Sequence, residues 1–194
     1  ARNSARPLLT LHRSPGQAGS KLPRAIVAQI LRRCFALQQP MPNVRRVDLK
    51  PGQRLTVVGD LHGQLADLLH IFSQNGWPDE NSLYVFNGDF VDRGPCGVEV
   101  VLALYAWQLC LPDCVFLNRG NHEERSVHAM YGFQQECVQK YDREMCAPCN
   151  HEPPPRLSKN TARCLSVWRS PGHNLSHAHS RLLRQVRGVQ RGLR

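Results

Sequence analysis

The sequence contains no apolar run long enough to cross a membrane. Its longest such run, VEVVLALYAW, includes Glu99 and falls well short of the roughly 20 residues that a spanning helix needs. No stretch resembles a secretory signal, and eight cysteines in 194 residues are too few for a small disulfide-stapled scaffold. These absences predict a protein that does not enter membranes and that works in a reducing compartment, the cytoplasm or the nucleus.

Basic residues are scarce in the middle of the chain and abundant at its ends. Residues 55–142 hold four Lys or Arg against twelve Asp or Glu, whereas residues 1–54 hold eleven against one and residues 143–194 hold ten against two. A basic arm can bind nucleic acid, but neither end shows aromatic residues interleaved with its charges. We therefore favour solvated disorder over nucleic-acid binding for both ends.

The composition changes after Tyr141, which predicts a boundary there. Three consecutive prolines follow in CAPCNHEPPPRLSKN, and the rest is rich in Arg, His and Ser without sustained periodicity. Such a segment buries too little apolar surface to form a core. We expect a flexible basic N-terminus over residues 1–21, one folded domain over residues 22–142 and a disordered basic tail over residues 143–194.

Three β-rich apolar runs, RLTVVGD, LYVFNGD and CVFLNRGN, each end in a loop of glycine and polar residues. Apolar residues at helical spacing follow the first two runs, and a further helix is predicted upstream over residues 24–39. Strand, loop and helix in repetition predict an α/β fold with a parallel sheet. The loops begin at Gly59, Gly88 and Gly120, so all three should emerge at the sheet edge where open α/β folds bind ligands.

The three loops carry side chains that can bind metal. The first, GDLHGQ, has Asp60 and His62, the second has Asp89, and the third, RGNHEE, has Asn121. A mixed set of carboxylate, imidazole and amide ligands suits manganese, iron or zinc. A bridging carboxylate can hold two such ions, which lower the pKa of a shared water and supply hydroxide at neutral pH. Asp89 is the natural bridge.

Three further residues of these loops suit phosphate chemistry. The planar guanidinium of Arg93 matches the oxygens of a phosphate group. His122 could protonate a leaving oxygen, and Asp92 could orient His122 by accepting its other ring proton. Any one of these residues alone is more often a helix cap or turn residue, but three loops in order favour a site. Glu123, Glu124 and His128 are interpreted as surface and helix residues.

The motifs GDLHG, GDFVDRG and GNHE together resemble the signature of the phosphoprotein phosphatase family, the metal-dependent Ser/Thr phosphatases related to calcineurin. Segments such as DLLHIFSQNGWP and YGFQQECVQKYD are most similar to the EF-hand-containing, type 7 branch, with the type 5 branch next. The resemblance covers about residues 22–142. It implies a calcineurin-like metallophosphoesterase fold, two divalent metal ions (manganese, iron or zinc), and hydrolysis of phosphoserine and phosphothreonine in phosphoprotein substrates.

The resemblance also implies roles for individual residues. Asp60 and His62 would bind one metal, and Asp89 would bridge both. Asn121 would bind the second metal and contact phosphate. Arg93 would bind phosphate, and His122 would act as the acid with Asp92 as its orienting partner.

The chain departs from the family pattern after residue 142. Family members continue with a second half that supplies two more histidine ligands and another phosphate-binding arginine. The tail histidines lie in sequence unlike the family and receive no such role; they are His151, His173, His177 and His179. We expect an incomplete domain with reduced or no activity, arising by truncation, a retained intron or a shifted frame.

Other readings remain open at this point. The chain could be a non-catalytic, regulatory product, or a hydrolase of dinucleoside polyphosphates, since enzymes of that class share the three loops. No calcium-binding loop pattern occurs, so the EF-hands of the type 7 branch are absent from this chain. Cys146, Cys149 and His151 form a zinc half-site at most, because no second pair follows at suitable spacing.

Overall fold

A computed structural model describes residues 21–142, and a three-stranded parallel sheet lies at its centre. The strands are β1 (Arg54–Val58), β2 (Ser82–Phe86) and β3 (Val115–Leu117), and they pair in sequence order. All pairing is parallel, with Val58 opposite Phe86 and Phe86 opposite Leu117. The predicted parallel sheet is therefore confirmed. Most of the predicted N-terminal arm and the whole predicted tail, with its cysteines and histidines, lie outside the described residues.

Five helices accompany the sheet in the described residues. They are α1 (Arg24–Gln38), α2 (Leu65–Asn75), α3 (Gly97–Cys110), α4 (Arg125–Tyr131) and α5 (Phe133–Lys140). A single 3₁₀ turn (Asn121–Glu123) precedes α4. Helices α2 and α3 are the predicted crossovers between consecutive strands. None of the helices within residues 21–142 has both the length and the apolar character needed to traverse a bilayer.

The main core lies between one face of the sheet and the helices. Phe72 of α2 packs edge-on against Tyr84 and Phe86 of β2, with ring centroids 5.2 and 6.3 Å apart. All three rings are buried, and burying one such side chain contributes about 1.5–3 kcal/mol. Helix α1 packs against α3 on the same side. This core fixes the strand ends that carry the loops.

The opposite face of the sheet has a smaller core. Leu83, Cys114 and Phe116 form this second cluster, and the guanidinium of Arg45 lies 4.7 Å from the centre of the Phe116 ring. On the same face Val57 is 60% exposed. Within residues 21–142, this face is therefore only partly covered, as expected for an incomplete domain.

A partly buried ion cluster ties α5 to the start of α3. Lys140 Nζ lies 2.6 Å from Glu99 and 2.7 Å from Glu136. Burial lowers the pKa of Lys140, but hydrogen bonds to the two carboxylates outweigh it and raise that pKa above its usual value. Glu136 also accepts the first amides of α3, from Gly97 and Val98, at 3.2 and 2.9 Å. Because α3 begins where the second loop ends, α5 holds one end of that loop in place.

Candidate metal and phosphate site

The three loops meet at the carboxyl ends of the strands, and their backbones bond directly. The amides of Leu61 and His62 both donate to the carbonyl of Asp89, at 3.0 and 2.9 Å. The amide of Gly63 donates to the carbonyl of Phe90 at 2.8 Å. The first two loops therefore form one rigid unit.

Asp60, His62 and Asp89 bring their ligand atoms together. One nitrogen or oxygen atom from each lies within 4.8 Å of those from the other two. His62 Nδ1 lies 2.9 Å from the carbonyl oxygen of Val91, which can only accept, so the proton is on Nδ1. The lone pair of Nε2 then faces a carboxylate oxygen of Asp60 at 3.6 Å. Two acceptors in this arrangement fit a cation between them, and the donor set suits a borderline divalent ion.

The third loop reaches the same point through Asp89. The amide of His122 donates to Asp89 Oδ1 at 2.8 Å. Asn121 is exposed at the start of the 3₁₀ turn, and its peptide bond leads to that amide. The backbone of Asn121 therefore lies beside the carboxylate that is predicted to bridge.

The ring of His122 lies between an acidic side chain, Asp92, and a basic one, Arg93. Its Nδ1 is 2.9 Å from Asp92 Oδ2, and its Nε2 is 3.4 Å from the guanidinium of Arg93. His122 and Asp92 are buried, whereas Arg93 is exposed. Because a carboxylate only accepts and a guanidinium only donates, the proton of the neutral ring is on Nδ1. The ring also contacts His62 and Tyr131 edge-on, at centroid distances of 4.7 and 5.2 Å, and the Tyr131 contact was not foreseen from the sequence.

Two glycines allow the second and third loops to approach closely. A Cβ on Gly88 would overlap the amide nitrogen of Gly120, and Gly88 has a φ of +99° that side chains rarely adopt. A Cβ on Gly120 would lie 2.6 Å from the amide of Asp89 and would overlap its carboxylate. Any side chain at either position would push Asp89 away from the third loop.

Backbone strain is concentrated in the same loops. In the part of the chain that the structure describes, four residues other than glycine have positive φ: His62 (41°), Asp89 (54°), Asp92 (67°) and Arg93 (67°). Such conformations cost energy, and they persist where the surrounding structure enforces them. All four are predicted site residues.

A family model for calcineurin-like phosphoesterases matches residues 53–190. The chain belongs to this family. The match includes residues 143–190, for which we predict a tail unlike the family. The limits of the domain are therefore still a prediction.

The curated proteins to which this chain is similar include Ser/Thr phosphatases. Serine/threonine-protein phosphatase T of Aspergillus oryzae is 44% identical over 127 residues, which are 66% of this chain and 27% of that protein. Serine/threonine-protein phosphatase with EF-hands 2 of Mus musculus is 52% identical over 101 residues, which are 52% of this chain and 13% of that protein. The predicted relationship to these branches is confirmed. The chain spans only about a quarter, or less, of the length of these relatives.

A solved structure supports the calcineurin-like fold. It is a protein serine/threonine phosphatase from Saccharomyces cerevisiae with similarity to human phosphatase PP5. The TM-score is 0.63 at 38% identity, over 64% of this chain and 40% of that chain. The predicted fold class is confirmed, and this chain corresponds to part of that structure.

The structure corrects the interpretation of Glu123. It was expected at the surface, but its side chain is fully buried and accepts three backbone amides. Burial raises the pKa of its carboxyl, against the effect of the amides of Phe90, Asp89 and Gly120. The sequence signal was its position three residues after Gly120, where a carboxylate can fold back on the first amide of a turn.

His128 was also expected at the surface and is 2% exposed. The ring packs edge-on against Phe133 at 5.0 Å. Burial lowers the pKa of His128 to about 4, against the attraction of Asp92. Glu124 is intermediate in exposure and pairs with Arg119, which agrees with a position near the surface.

Proposed function

We propose that this chain carries part of the active site of a serine/threonine-protein phosphatase, which hydrolyses phosphoserine and phosphothreonine monoesters in proteins. One observation carries the proposal: the cluster of Asp60, His62 and Asp89 lies next to the paired His122 and Asp92. Metal ligands beside a histidine with an orienting carboxylate are the parts that metal-assisted ester hydrolysis needs. The names of the relatives support the substrate class.

The proposed ions are two divalent metals, manganese, iron or zinc. Asp60 and His62 would hold one, Asp89 would bridge, and Asn121 would hold the second. Bound there, the ions would make a water molecule nucleophilic at neutral pH and offset charge on the phosphate. Oxygen and imidazole ligands of this kind fit all three metals. The ligand types alone are therefore not selective for one of them.

Arg93 and His122 would then act on the substrate. Arg93, whose side chain is exposed, would bind phosphate oxygens in a bidentate manner. In the structure Arg93 donates towards His122 Nε2, so that nitrogen carries no proton in the neutral ring. To protonate a leaving oxygen, His122 must take up a proton at Nε2 while Arg93 turns to the phosphate. Asp92 accepts the proton of Nδ1 and thereby fixes the orientation of the ring.

We further propose that the 194-residue chain on its own hydrolyses phosphoesters poorly. The proposed site draws only four protein ligands from residues 21–142: Asp60, His62, Asp89 and Asn121. Ions held by so few groups complete their shells with water and are bound weakly. Fewer groups also clamp the phosphate, which reduces positioning in the transition state.

The test is Mn²⁺ binding by the purified chain, followed by electron paramagnetic resonance of the free ion. We expect weak binding that Asp89→Asn abolishes and that Asp113→Asn, at a 91% exposed side chain, leaves unchanged. Binding indifferent to Asp89→Asn would contradict the proposed site. Turnover of a phosphoserine peptide at about 1 s⁻¹ or faster, lost in Asp89→Asn, would contradict the proposed weak activity. Preferential cleavage of a dinucleoside polyphosphate would favour the alternative substrate class.

A further inference from the structure

Glu123 links two loops of the site through a single buried carboxylate. Its Oε2 accepts the amide of Asp89 at 2.6 Å and the amide of Gly120 at 2.9 Å, and its Oε1 accepts the amide of Phe90 at 2.8 Å. Asp89 and Phe90 belong to the second loop, whereas Gly120 and Glu123 belong to the third. The carboxylate thus holds the two loops together from inside the protein.

Glu123 is buried, with 0% exposure, and it takes part in no ion pair with another side chain of residues 21–142. Burying a carboxylate is costly unless hydrogen bonds compensate, and here the donors are backbone amides of the loops themselves. It does not face solvent, so it is not placed to bind substrate.

The bond to Asp89 matters because of the conformation of that residue. Asp89 has a φ of 54°, which a residue with a side chain rarely adopts unless its neighbours enforce it. Its amide is held by Glu123, and its carboxylate is held by the amide of His122. Both restraints come from the third loop. One holds the backbone of Asp89, and the other holds its carboxylate.

We infer that Glu123 is a positioning residue for the metal site, which sets the Asp89 carboxylate at its distance from the loop of Asn121 and His122. The inference rests on the proposed function, because it assigns Asp89 to the metals. Glu123 itself contacts neither metal nor substrate. It differs from an ordinary structural residue in one respect: its loss should alter the metal site in molecules that are still folded.

The test uses Glu123→Gln in the full chain, with Glu124→Gln as the matched control. Glutamine has nearly the same shape, but its amide group turns N–H donors towards backbone amides that are also donors. Glu124 is adjacent, and its carboxylate binds Arg119 instead of the second loop. Mn²⁺ affinity is measured by electron paramagnetic resonance and corrected for the folded fraction, which is measured by circular dichroism and urea unfolding. The visible absorption of bound Co²⁺ reports the ligand geometry.

We expect Glu123→Gln to weaken Mn²⁺ binding about 10- to 100-fold, as removal of groups that orient metal ligands does. The Co²⁺ spectrum of the folded variant should change, and Glu124→Gln should match the wild type in both measurements. An unchanged affinity and spectrum in folded Glu123→Gln would overturn the inference. If that variant does not fold, Glu123→Asp, whose shorter side chain cannot span both loops equally, is measured in the same way. Unfolding of both variants would show a role in the fold instead and would also overturn the inference.

The two proposals fail in different ways. A wild-type chain without Mn²⁺ binding that depends on Asp89 would overturn the proposed function, and the inference would fall with it. Binding that depends on Asp89 but survives Glu123→Gln would overturn the inference alone.

Discussion

The carboxylate of Asp92 divides its two oxygens between His122 and α5. Its Oδ2 lies 2.9 Å from Nδ1 of the imidazole, and its Oδ1 accepts the amide of Phe133 at 2.9 Å. Phe133 is the first residue of α5, which Lys140 and Glu136 anchor to the start of α3. The orientation of His122 is therefore set by a helix that lies outside the three motifs.

We predict that Asp92→Asn changes the tautomer of His122. In this variant the side-chain oxygen of the asparagine would still accept the amide of Phe133. Its NH₂ group would then face Nδ1 of His122. Because that group donates, Nδ1 would have to accept and could carry no proton. The proton should move from Nδ1 to Nε2, and the ¹⁵N shifts of the ring in long-range NMR correlations would exchange accordingly. Any measurable hydrolysis should fall by about 100- to 10,000-fold, the usual contribution of a positioned acid.

Asp113→Asn is the control for Asp92→Asn, because Asp113 is exposed and pairs only at the surface with Arg45. Retention of the wild-type tautomer in Asp92→Asn would show that Asp92 does not fix the ring.

A second prediction concerns the close approach of the loops. In Gly120→Ala the new methyl group would lie 2.6 Å from the amide of Asp89 and overlap its carboxylate. We expect a loss of about 1–3 kcal/mol in the free energy of unfolding, typical of overpacking, together with loss of Mn²⁺ binding. Urea unfolding and the binding assay measure the two effects.

Gly59→Ala is the matched control for that change. Gly59 stands in the first loop beside Asp60, and a Cβ there would meet nothing within 4 Å. The control should leave stability and binding near wild-type values. Equal effects of the two substitutions would mean that the contact between Gly120 and Asp89 does not constrain the site.

The sheet and the loop positions were predictable because their signals are local. Apolar strands that end in glycine, followed by helical spacing, determine a parallel sheet, and the sheet places Asp60, Asp89 and Asn121 at one edge. The third strand, β3, covers Val115–Leu117, which is the apolar part of the run CVFLNRGN before its loop.

The roles of Glu123 and His128 could not be read from sequence in the same way. In RSVHAMYG the apolar residues Val127, Met130 and Tyr131 keep helical spacing, but Met130 and Tyr131 are exposed. His128 is buried instead, because α5 returns across it and places Phe133 against its ring. Glu123 is buried because two loops distant in sequence come together around it. Both environments depend on tertiary contacts. The spacing of Glu123 from Gly120 indicates only the bond to the first amide of the turn, and it does not encode the bonds to the second loop.

The last prediction follows from the burial of His128. Its pKa is about 4 in the folded protein, against 6.5 for the ordinary side chain. As the pH falls below about 6.5, the unfolded chain takes up a proton at this residue before the folded protein does, so protons favour unfolding. At pH 7 the ring is neutral in both states, and its burial carries no cost of charge. The free energy of unfolding therefore decreases as the pH falls from about 6.5 to about 4. The loss amounts to about 3 kcal/mol, at about 1.4 kcal/mol for each pKa unit.

His128→Leu should remove this dependence, because leucine fills a similar buried space without titrating. At pH 7 the variant should be more stable by about 1 kcal/mol, since a buried polar ring is replaced by an apolar side chain. The advantage should grow to about 4 kcal/mol near pH 4.

Urea unfolding of both chains from pH 7 to pH 4 measures the difference between their free energies of unfolding. Both chains contain the same carboxyl groups, so the titration of those groups cancels in this difference. His70→Leu, at an exposed position of α2, controls for the removal of one histidine. A difference between wild type and His128→Leu that stays constant over this range would show that His128 is already protonated, or accessible to protons, in the folded protein.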